Sequence, residues 1–284
     1  MNYREYAPAP ALTTLVRCYW LLSGGAESSA KPSAAPPEPA LPDGCPELII
    51  NLGDPFAAID AHGVPHVQPL TMLVGQITGP FTVQPTGRVE LVAVRFTPAG
   101  AALICDDLAS ITNSWIALDR LSAAPLHTFA ASALALDMMT QQAADDEVVT
   151  QLDASLLAIT AERTGPDAIV VRAVQAIEAS HGCAPLEALA TSLGCTLRHL
   201  QRRFAVQVGI SPKALARIRR FQRVFAVWRD DPRRLGRVAA ECGYSDQSHL
   251  IRDFRELAGA APAAFLASTP EFTQLFLPSS PRAS

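Results

Sequence analysis

A six-residue pattern occurs twice in the C-terminal half of the chain, and this repetition constrains the fold more than any other feature. The chain reads "HLQRRF" at 199–204 and "HLIRDF" at 249–254. Each phenylalanine is followed at the same intervals by a glycine and a proline, which are Gly209 and Pro212 in the first unit and Gly259 and Pro262 in the second. Upstream, Ala190 and Gly194 match Ala239 and Gly243 with an offset of 49 rather than 50, so the second unit has one extra residue before its repeated helix. The pattern predicts two copies of one helical unit.

Each unit is expected to be a helix, a turn and a second helix. Gly194 and Gly243 are typical of the left-handed residue that ends a helix, and Thr196 and Ser245 can cap the helix that follows. In that second helix the leucine and the phenylalanine, four residues apart, share one face and point inward. The outward face carries types that bind base edges or phosphates, namely Arg198, Gln201 and Arg202 in the first unit and Gln247, Ser248, His249 and Arg252 in the second. The alternative is an amphipathic helix whose arginines are only its solvated face.

The segment between the units, "SPKALARIRRFQRVFAVWRDDP", predicts one long helix over 212–229 with Ser211 as its cap. Eighteen residues at about 1.5 Å each give a rod of roughly 27 Å, close to the roughly 34 Å between successive major-groove faces of DNA. Asp253 stands where the first unit has Arg203, which predicts weaker phosphate attraction by the second unit. The candidates for phosphate contact are Thr196, Arg203, Arg217, Arg220 and Ser245.

Charge is divided unevenly between the two halves. Residues 166–284 hold 16 Lys and Arg against 10 Asp and Glu, a net charge of +6, whereas the first 165 residues hold 7 against 17, a net charge of −10. Such asymmetry indicates an acidic partner for the basic half, although a basic half can also be a solvated surface.

The N-terminal half predicts a small β-sheet or barrel. Apolar runs at 47–53, 72–77, 81–85 and 89–98 are bounded by turn-forming residues. The proline-rich stretch 26–42 predicts a long surface loop that is neither a helix nor a central strand. From about residue 99 the composition favours helices, in which Val149, Leu152, Leu156 and Ile159 form an apolar stripe that packs on its own domain or forms a dimer seam.

The C-terminal units closely resemble the DNA-binding domain of AraC/XylS-type bacterial transcription regulators, over roughly 168–267. The match is most specific in "AAECGYSDQSHLIRDFRELAGAAP", and it departs at Ala261, where that family usually has a serine. "LPDGCPELIINLGD" and "VELVAVRFTPAGAALI" resemble the N-terminal domain of a subgroup with no assigned ligand. The resemblance implies two helix-turn-helix motifs joined by a long helix, and it assigns base reading to the outward residues named above.

The resulting expectation is an α+β chain with four parts. These are a β-rich sensor or dimerisation domain at 1–125, a helical connector at 126–165 with the boundary in "RTGPD" at 163–167, a DNA-binding domain at 166–268 and a tail at 269–284.

Other chemistry-bearing residues give weaker signals. His62 and His66 have metal-pair spacing, but Gly63 and Pro65 between them favour a turn. Arg95, within an apolar strand, either faces a pocket where it could hold an anionic effector or lies on the outer face, and the outer face is favoured. Asp106 and Asp107 diverge on a helix, which favours a surface or capping role. The six cysteines are scattered and have no zinc-finger spacing, which predicts reduced, mostly buried thiols and no metal site.

These observations predict a sequence-specific DNA-binding transcription regulator in the cytoplasm, with no cofactor, no membrane span and no enzymatic activity. Double-stranded DNA is the expected partner; RNA polymerase, a small-molecule effector and a second copy of the chain are further candidates. Two alternatives stay open: a ligand-binding or enzymatic barrel fused to a DNA-binding domain, and an effector-independent regulator whose N-terminal half makes only protein contacts.

Overall fold

The structure is a computed structural model that describes residues 1–24, 36–135, 145–230 and 235–267. Within these ranges an antiparallel β domain precedes an all-helical domain, as the α+β expectation has it. Across the described part of the chain, no helix has the length and apolar character needed to cross a membrane.

The larger sheet of the β domain has six strands and is antiparallel throughout. Its order is β1-β2-β9-β4-β7-β10, and the strands span Asn2–Tyr6, Val16–Gly24, Val89–Phe96, Glu47–Asn51, Thr71–Val74 and Trp115–Ala117 respectively. Inside the sheet, β9 pairs with β2 on one side and with β4 on the other. Tyr19 of β2 and Leu48 of β4 both lie opposite Val94 of β9. These three strands alternate side chains between the two faces, and both faces are covered.

The smaller sheet has four strands in the order β3-β8-β5-β6, which span Glu38–Ala40, Phe81–Pro85, Phe56–Ile59 and Pro65–Val67. The expectation that 26–42 is entirely loop is therefore wrong at its end, because Glu38, Pro39 and Ala40 pair with β8. Proline is tolerated there because β3 is an edge strand and one side of it needs no backbone donor. Residues 26–35 of that stretch lie outside the described residues.

Two helices cover one face of the larger sheet. They are α1 (Ala124–Ala135) and α2 (Asp145–Glu162), and Leu152, Leu156 and Ile159 of α2 are buried in one cluster with sheet residues such as Leu48 and Val94. The apolar stripe thus packs on its own domain, with Val148 buried more deeply than the expected Val149. The segment at 126–165 shares the core of the β domain.

The helices expected from residue 99 begin later than predicted. Residues 99–120 form three short 3₁₀ turns, at Gly100–Leu103, Leu108–Ile111 and Leu118–Arg120, and the strand β10. Local breaks explain the difference: Asp107 caps one turn with its side chain, and Asn113 has a φ of 57°.

The C-terminal domain contains both predicted helix-turn-helix units. The helices are α3 (Ala168–Ala179), α4 (Leu186–Ser192), α5 (Leu197–Gln207), α6 (Pro212–Asp230), α7 (Leu235–Glu241), α8 (Gln247–Ala258) and α9 (Pro262–Ala267). The turn glycines Gly194 and Gly243 have φ of 71° and 76°, as C-terminal glycines should. The next helix starts three residues after Gly194 but four after Gly243, so the extra residue lies in the second turn.

The long helix α6 joins the two units through its buried face. Its apolar face is buried and consists of Leu215, Ile218, Phe221, Phe225 and Trp228. Phe221 and Phe225 pack against Phe254 of α8 with ring centroids 5.1 and 5.5 Å apart. Ser211 accepts a hydrogen bond from the backbone of Ala214 (3.1 Å), which confirms its capping position. The repeated phenylalanine is therefore what attaches the helix of the second unit to the rod.

Candidate nucleic-acid interface and buried cavity

The second helix of the first unit, α5, presents the expected polar face to solvent. Arg198, Gln201 and Arg202 are exposed, while Leu200 and Phe204 are completely buried. Thr196 caps the helix by accepting a hydrogen bond from the backbone of His199 (3.2 Å). Three polar side chains are thereby presented to solvent along one helix face.

The corresponding helix of the second unit, α8, is capped by a different residue from the one expected. Asp246, not Ser245, accepts the hydrogen bond from the backbone of His249 (2.8 Å), and that bond lowers the pKa of the Asp246 carboxyl. The extra turn residue explains the change, since it shifts the cap by one position. Ser245 instead lies within hydrogen-bonding distance of Asp246 and His249.

The exposed face of α8 contains most of the expected set. Gln247, Ser248 and Arg252 are exposed, and His249 is half-buried against the edge of the Tyr244 ring, with centroids 5.2 Å apart.

The side chains at the equivalent positions 203 and 253 both form ion pairs within the domain. Arg203 pairs with Asp167, the N-cap of α3, and Asp253 is 5% exposed and pairs with Arg217 (2.9 Å). The basic residue at position 203 thus has an acidic partner, and the acidic residue at position 253 has a basic partner. Because Asp253 is buried, the prediction that it weakens phosphate attraction at the surface of the second unit loses its basis. Contact of Arg203 with phosphate stays a prediction.

Two arginines of α6 that were candidates for phosphate contact also bind within the domain. Arg217 lies between Asp253 and Glu256 of α8. The guanidinium of Arg220 lies 5.5 Å from the centre of the Tyr244 ring and donates to the carbonyl oxygen of Gly182 (3.4 Å). Both arginines join α6 to its neighbours, and their contact with phosphate stays a prediction.

A cavity lies between the two sheets of the β domain, on the face of the larger sheet opposite α1 and α2. Its empty volume is about 880 Å³, including the part open to solvent. The lining is mostly apolar, with residues such as Trp20, Phe56, Met72 and Leu91. An apolar lining with a few polar groups is typical of small-molecule sites.

The polar end of the cavity is built around Arg95, which faces inward, contrary to the favoured expectation. Its side chain is 11% exposed, and its Nε lies 2.7 Å from Glu47 Oε1 and 3.4 Å from Asp43 Oδ2. Glu47 also accepts a hydrogen bond from the indole of Trp20 (3.2 Å). Burial raises the pKa of Glu47, and the adjacent Arg95 opposes that rise.

One wall of the cavity is also part of the contact with the helical domain. Leu41, Asp43 and Cys45 line the cavity. Between them, the carbonyl oxygens of Pro42 and Asp43 accept hydrogen bonds from Gln222 and Arg219 of α6, the latter at 3.0 Å. We call residues 41–45 the wall segment. The wall segment therefore contacts both the cavity and α6.

The remaining sequence candidates have ordinary structural roles. His66 pairs with Asp60 (3.0 Å), Asp106 pairs with Arg163, and Asp107 caps a 3₁₀ turn. No group of three metal-binding side chains was found among the described residues. All six cysteines are free thiols; Cys183 is exposed and Cys195 half-buried.

Sequence reasoning missed the cavity and most of its polar residues. A usable signal exists in β4, "ELIIN", where Glu47 and Asn51 are polar residues on one face of an otherwise apolar strand.

Comparison with known proteins supports both halves of this description. A helix-turn-helix domain family matches residues 189–268, and a domain of unknown function, DUF6597, matches residues 4–116. No curated protein matches the chain in sequence.

Among solved structures, ToxT from Vibrio cholerae O395 is similar at 9% identity, with 95% of this chain and 98% of that chain covered and a TM-score of 0.46. ToxT from Vibrio cholerae strain SCE256 with bound unsaturated fatty acid is similar at 10% identity, with 82% and 92% covered and a TM-score of 0.43. The AraC-like transcriptional activator CuxR is similar at 15% identity, with 82% and 77% covered and a TM-score of 0.25.

The two repeated units, their exposed polar helices and the matched domain define a sequence-specific DNA-binding transcription regulator. Its C-terminal helix-turn-helix domain is of the AraC type, and its N-terminal domain matches DUF6597.

Proposed function

We propose that α5 and α8 are the recognition helices of this regulator and that a ligand in the cavity controls its affinity for DNA. Base reading is assigned to the exposed polar residues of the two helices, which are Arg198, Gln201, Arg202, Gln247, Ser248 and Arg252, with His249 at the edge of the contact. Thr196 and Ser245 lie in the turns at the N-terminal ends of these helices, where phosphate contacts occur.

The observation that carries ligand control is the double role of the wall segment, residues 41–45. A ligand that fills the cavity touches Leu41, Asp43 and Cys45, and the same segment holds Gln222 and Arg219 of α6. Because α6 is rigid and carries α8 on its buried face, a shift of the wall segment changes the relative placement of the two recognition helices.

The proposed organisation has two working parts. Residues 1–125 with the helices of 126–165 form the sensor, and residues 166–268 form the DNA-binding domain. The regulator acts in the cytoplasm on double-stranded DNA, with RNA polymerase and a second copy of the chain as candidate partners; no catalytic role is proposed.

The assignment of the recognition helices is tested by substituting one exposed arginine in each. DNA sites are selected from a random pool with the full chain, and affinity is then measured by fluorescence anisotropy for the wild type, Arg202→Ala and Arg252→Ala. Each substitution is expected to cost about 1–3 kcal/mol of binding free energy and to relax base preference at its own half of the site.

The matched control is Arg237→Ala, since Arg237 is an exposed arginine of α7 that pairs with Glu241 of the same helix (2.7 Å). Its affinity should stay close to that of the wild type. Unchanged affinity in both recognition-helix variants would overturn the assignment.

A further inference from the structure

We infer that the cavity takes an apolar molecule bearing a hydrogen-bond donor, either uncharged or cationic, and that it rejects carboxylates. The inference rests on the proposal that the cavity is a ligand site. It adds the chemical class of the ligand, argued from three features: a buried acceptor with no partner, the surplus of carboxylates around Arg95, and the apolar remainder of the lining.

The buried acceptor is the side-chain oxygen of Asn51, at the end of β4 that lines the cavity. Asn51 is completely buried, and its Oδ1 has no hydrogen-bond partner among the described residues. The amide cannot be turned around to relieve this, because its Nδ2 donates to the carbonyl oxygen of Leu70 (3.3 Å). Reversal would place two acceptors against each other. An unfilled buried acceptor costs about 1–3 kcal/mol, so a ligand that supplies an N–H or O–H gains that amount on binding.

The charge at the polar end opposes an anion. Arg95 is the basic group of the lining, and it already has Glu47 and Asp43 within 3.4 Å and Glu5 at 3.6 Å. An incoming carboxylate would add a further negative charge to this group or would have to displace Glu47 from both Arg95 and Trp20. Either step leaves a buried charge without its partner, which is costly. An alcohol adds no charge, and an ammonium group reduces the imbalance.

The rest of the lining determines the body of the ligand. Aliphatic and aromatic side chains surround most of the cavity, among them Ile49, Met72, Val74 and Phe81. Gln68, 4% exposed, also lines the cavity and has no side-chain hydrogen bond among the described residues, so it can accept from or donate to a second polar group. The cavity therefore fits a largely hydrocarbon molecule with one donor placed against Asn51.

A series of probes with one body and different head groups tests this directly. The full chain is titrated at neutral pH by isothermal calorimetry with 2-naphthalenemethanol, 2-naphthylmethylamine, 2-(methoxymethyl)naphthalene and 2-naphthoate. We expect the alcohol and the amine to bind at least about tenfold more tightly than the ether, which lacks a donor, and than the carboxylate. Tighter binding of the carboxylate than of the alcohol, equal binding of alcohol and ether, or binding of none of the four probes would overturn the inference.

Two variants assign the preference to the cavity. Asn51→Leu should remove the preference for the alcohol over the ether, and Glu47→Gln should reduce the preference for the amine over the carboxylate by about tenfold. Glu187→Gln, the same change at the surface of α4, should alter neither ratio. If both ratios are unchanged in the cavity variants, the probes bind elsewhere and the inference is wrong.

DNA affinity measured with and without the alcohol separates the two proposals. Binding of the alcohol without any change in DNA affinity contradicts ligand control and leaves the ligand class standing. A preference for the carboxylate contradicts the ligand class and leaves ligand control standing.

Discussion

Gln222 of α6 donates a hydrogen bond to the carbonyl oxygen of Pro42, 180 positions earlier in the chain. The donor is buried in the helical domain, and the acceptor belongs to the wall segment, between the cavity-lining residues Leu41 and Asp43. This bond and the one from Arg219 to the Asp43 carbonyl (3.0 Å) attach the wall segment to the rod between the recognition helices.

Gln222→Leu is expected to lower the free energy of unfolding by about 1–3 kcal/mol, because it leaves a buried carbonyl oxygen unpaired. Chemical denaturation of the full chain measures this effect. Gln151→Leu on α2, where the amide bonds to Glu147 of the same helix at the surface, serves as the control and should change stability little. Equal effects of the two substitutions would mean that the contact with Pro42 contributes nothing.

Asp253→Ala is expected to destabilise the domain because it removes one partner of a largely buried ion pair with Arg217. We expect a loss of about 1–3 kcal/mol, less than for a completely buried pair because the Arg217 side chain is 30% exposed. A double-mutant cycle with Arg217→Ala measures the coupling. Additive effects of the two substitutions would show that the ion pair contributes no coupling energy to stability.

Gly243→Ala and Gly194→Ala should differ in cost although both residues occupy the same turn position. Both have positive φ, so each substitution costs about 1 kcal/mol from backbone strain. At Gly243 the added Cβ would also lie 2.4 Å from Cys183 Sγ, whereas at Gly194 nothing lies within 4 Å. Thermal unfolding should therefore show a larger loss for Gly243→Ala.

The excess cost at Gly243 has its own control. Combining Gly243→Ala with Cys183→Ala removes the sulfur atom and should bring the loss close to that of Gly194→Ala. A double variant as unstable as Gly243→Ala alone would contradict the steric explanation.

The two N-caps should respond differently to acid. The pKa of Asp246 is lowered in the folded state, so its stabilising contribution is present above the unfolded-state pKa, about 3.9, and is lost as pH falls through the folded-state pKa. The destabilisation caused by Asp246→Ala should therefore shrink below about pH 4. Thr196→Ala removes an uncharged cap from the equivalent helix, and its cost should stay constant across the same pH series.

The repeated helical units were predictable because their signals are local. Capping residues, turn glycines and the leucine–phenylalanine spacing each act within a few positions, and α5, α6 and α8 occur where the pattern places them. The errors fall where a partner is distant in sequence. Asp253 and Arg217 are polar residues on helices, and nothing in either helix alone shows that they bind each other.

The β domain was less predictable for the same reason. The strand β2 contains "VRCYWLL", which has the aromatic and branched residues of a strand. Its place inside the sheet, however, depends on pairing with β9, about 70 residues later. The cavity exists only after two sheets pack, so the inward orientation of Arg95 follows from the pairing register and not from its local pattern.

The side chains of β4 point alternately to the core beneath the helices and to the cavity, so the two sets can be substituted separately. Leu48 and Ile50 contribute to the core beneath the helices, whereas Glu47, Ile49 and Asn51 line the cavity. Substitutions at the odd-numbered positions alter what the cavity accepts and leave the even-numbered positions to hold the helices. On the proposal that the cavity binds the controlling ligand, the recognised signal can therefore change by substitution at the odd-numbered positions while the packing beneath the helices is kept.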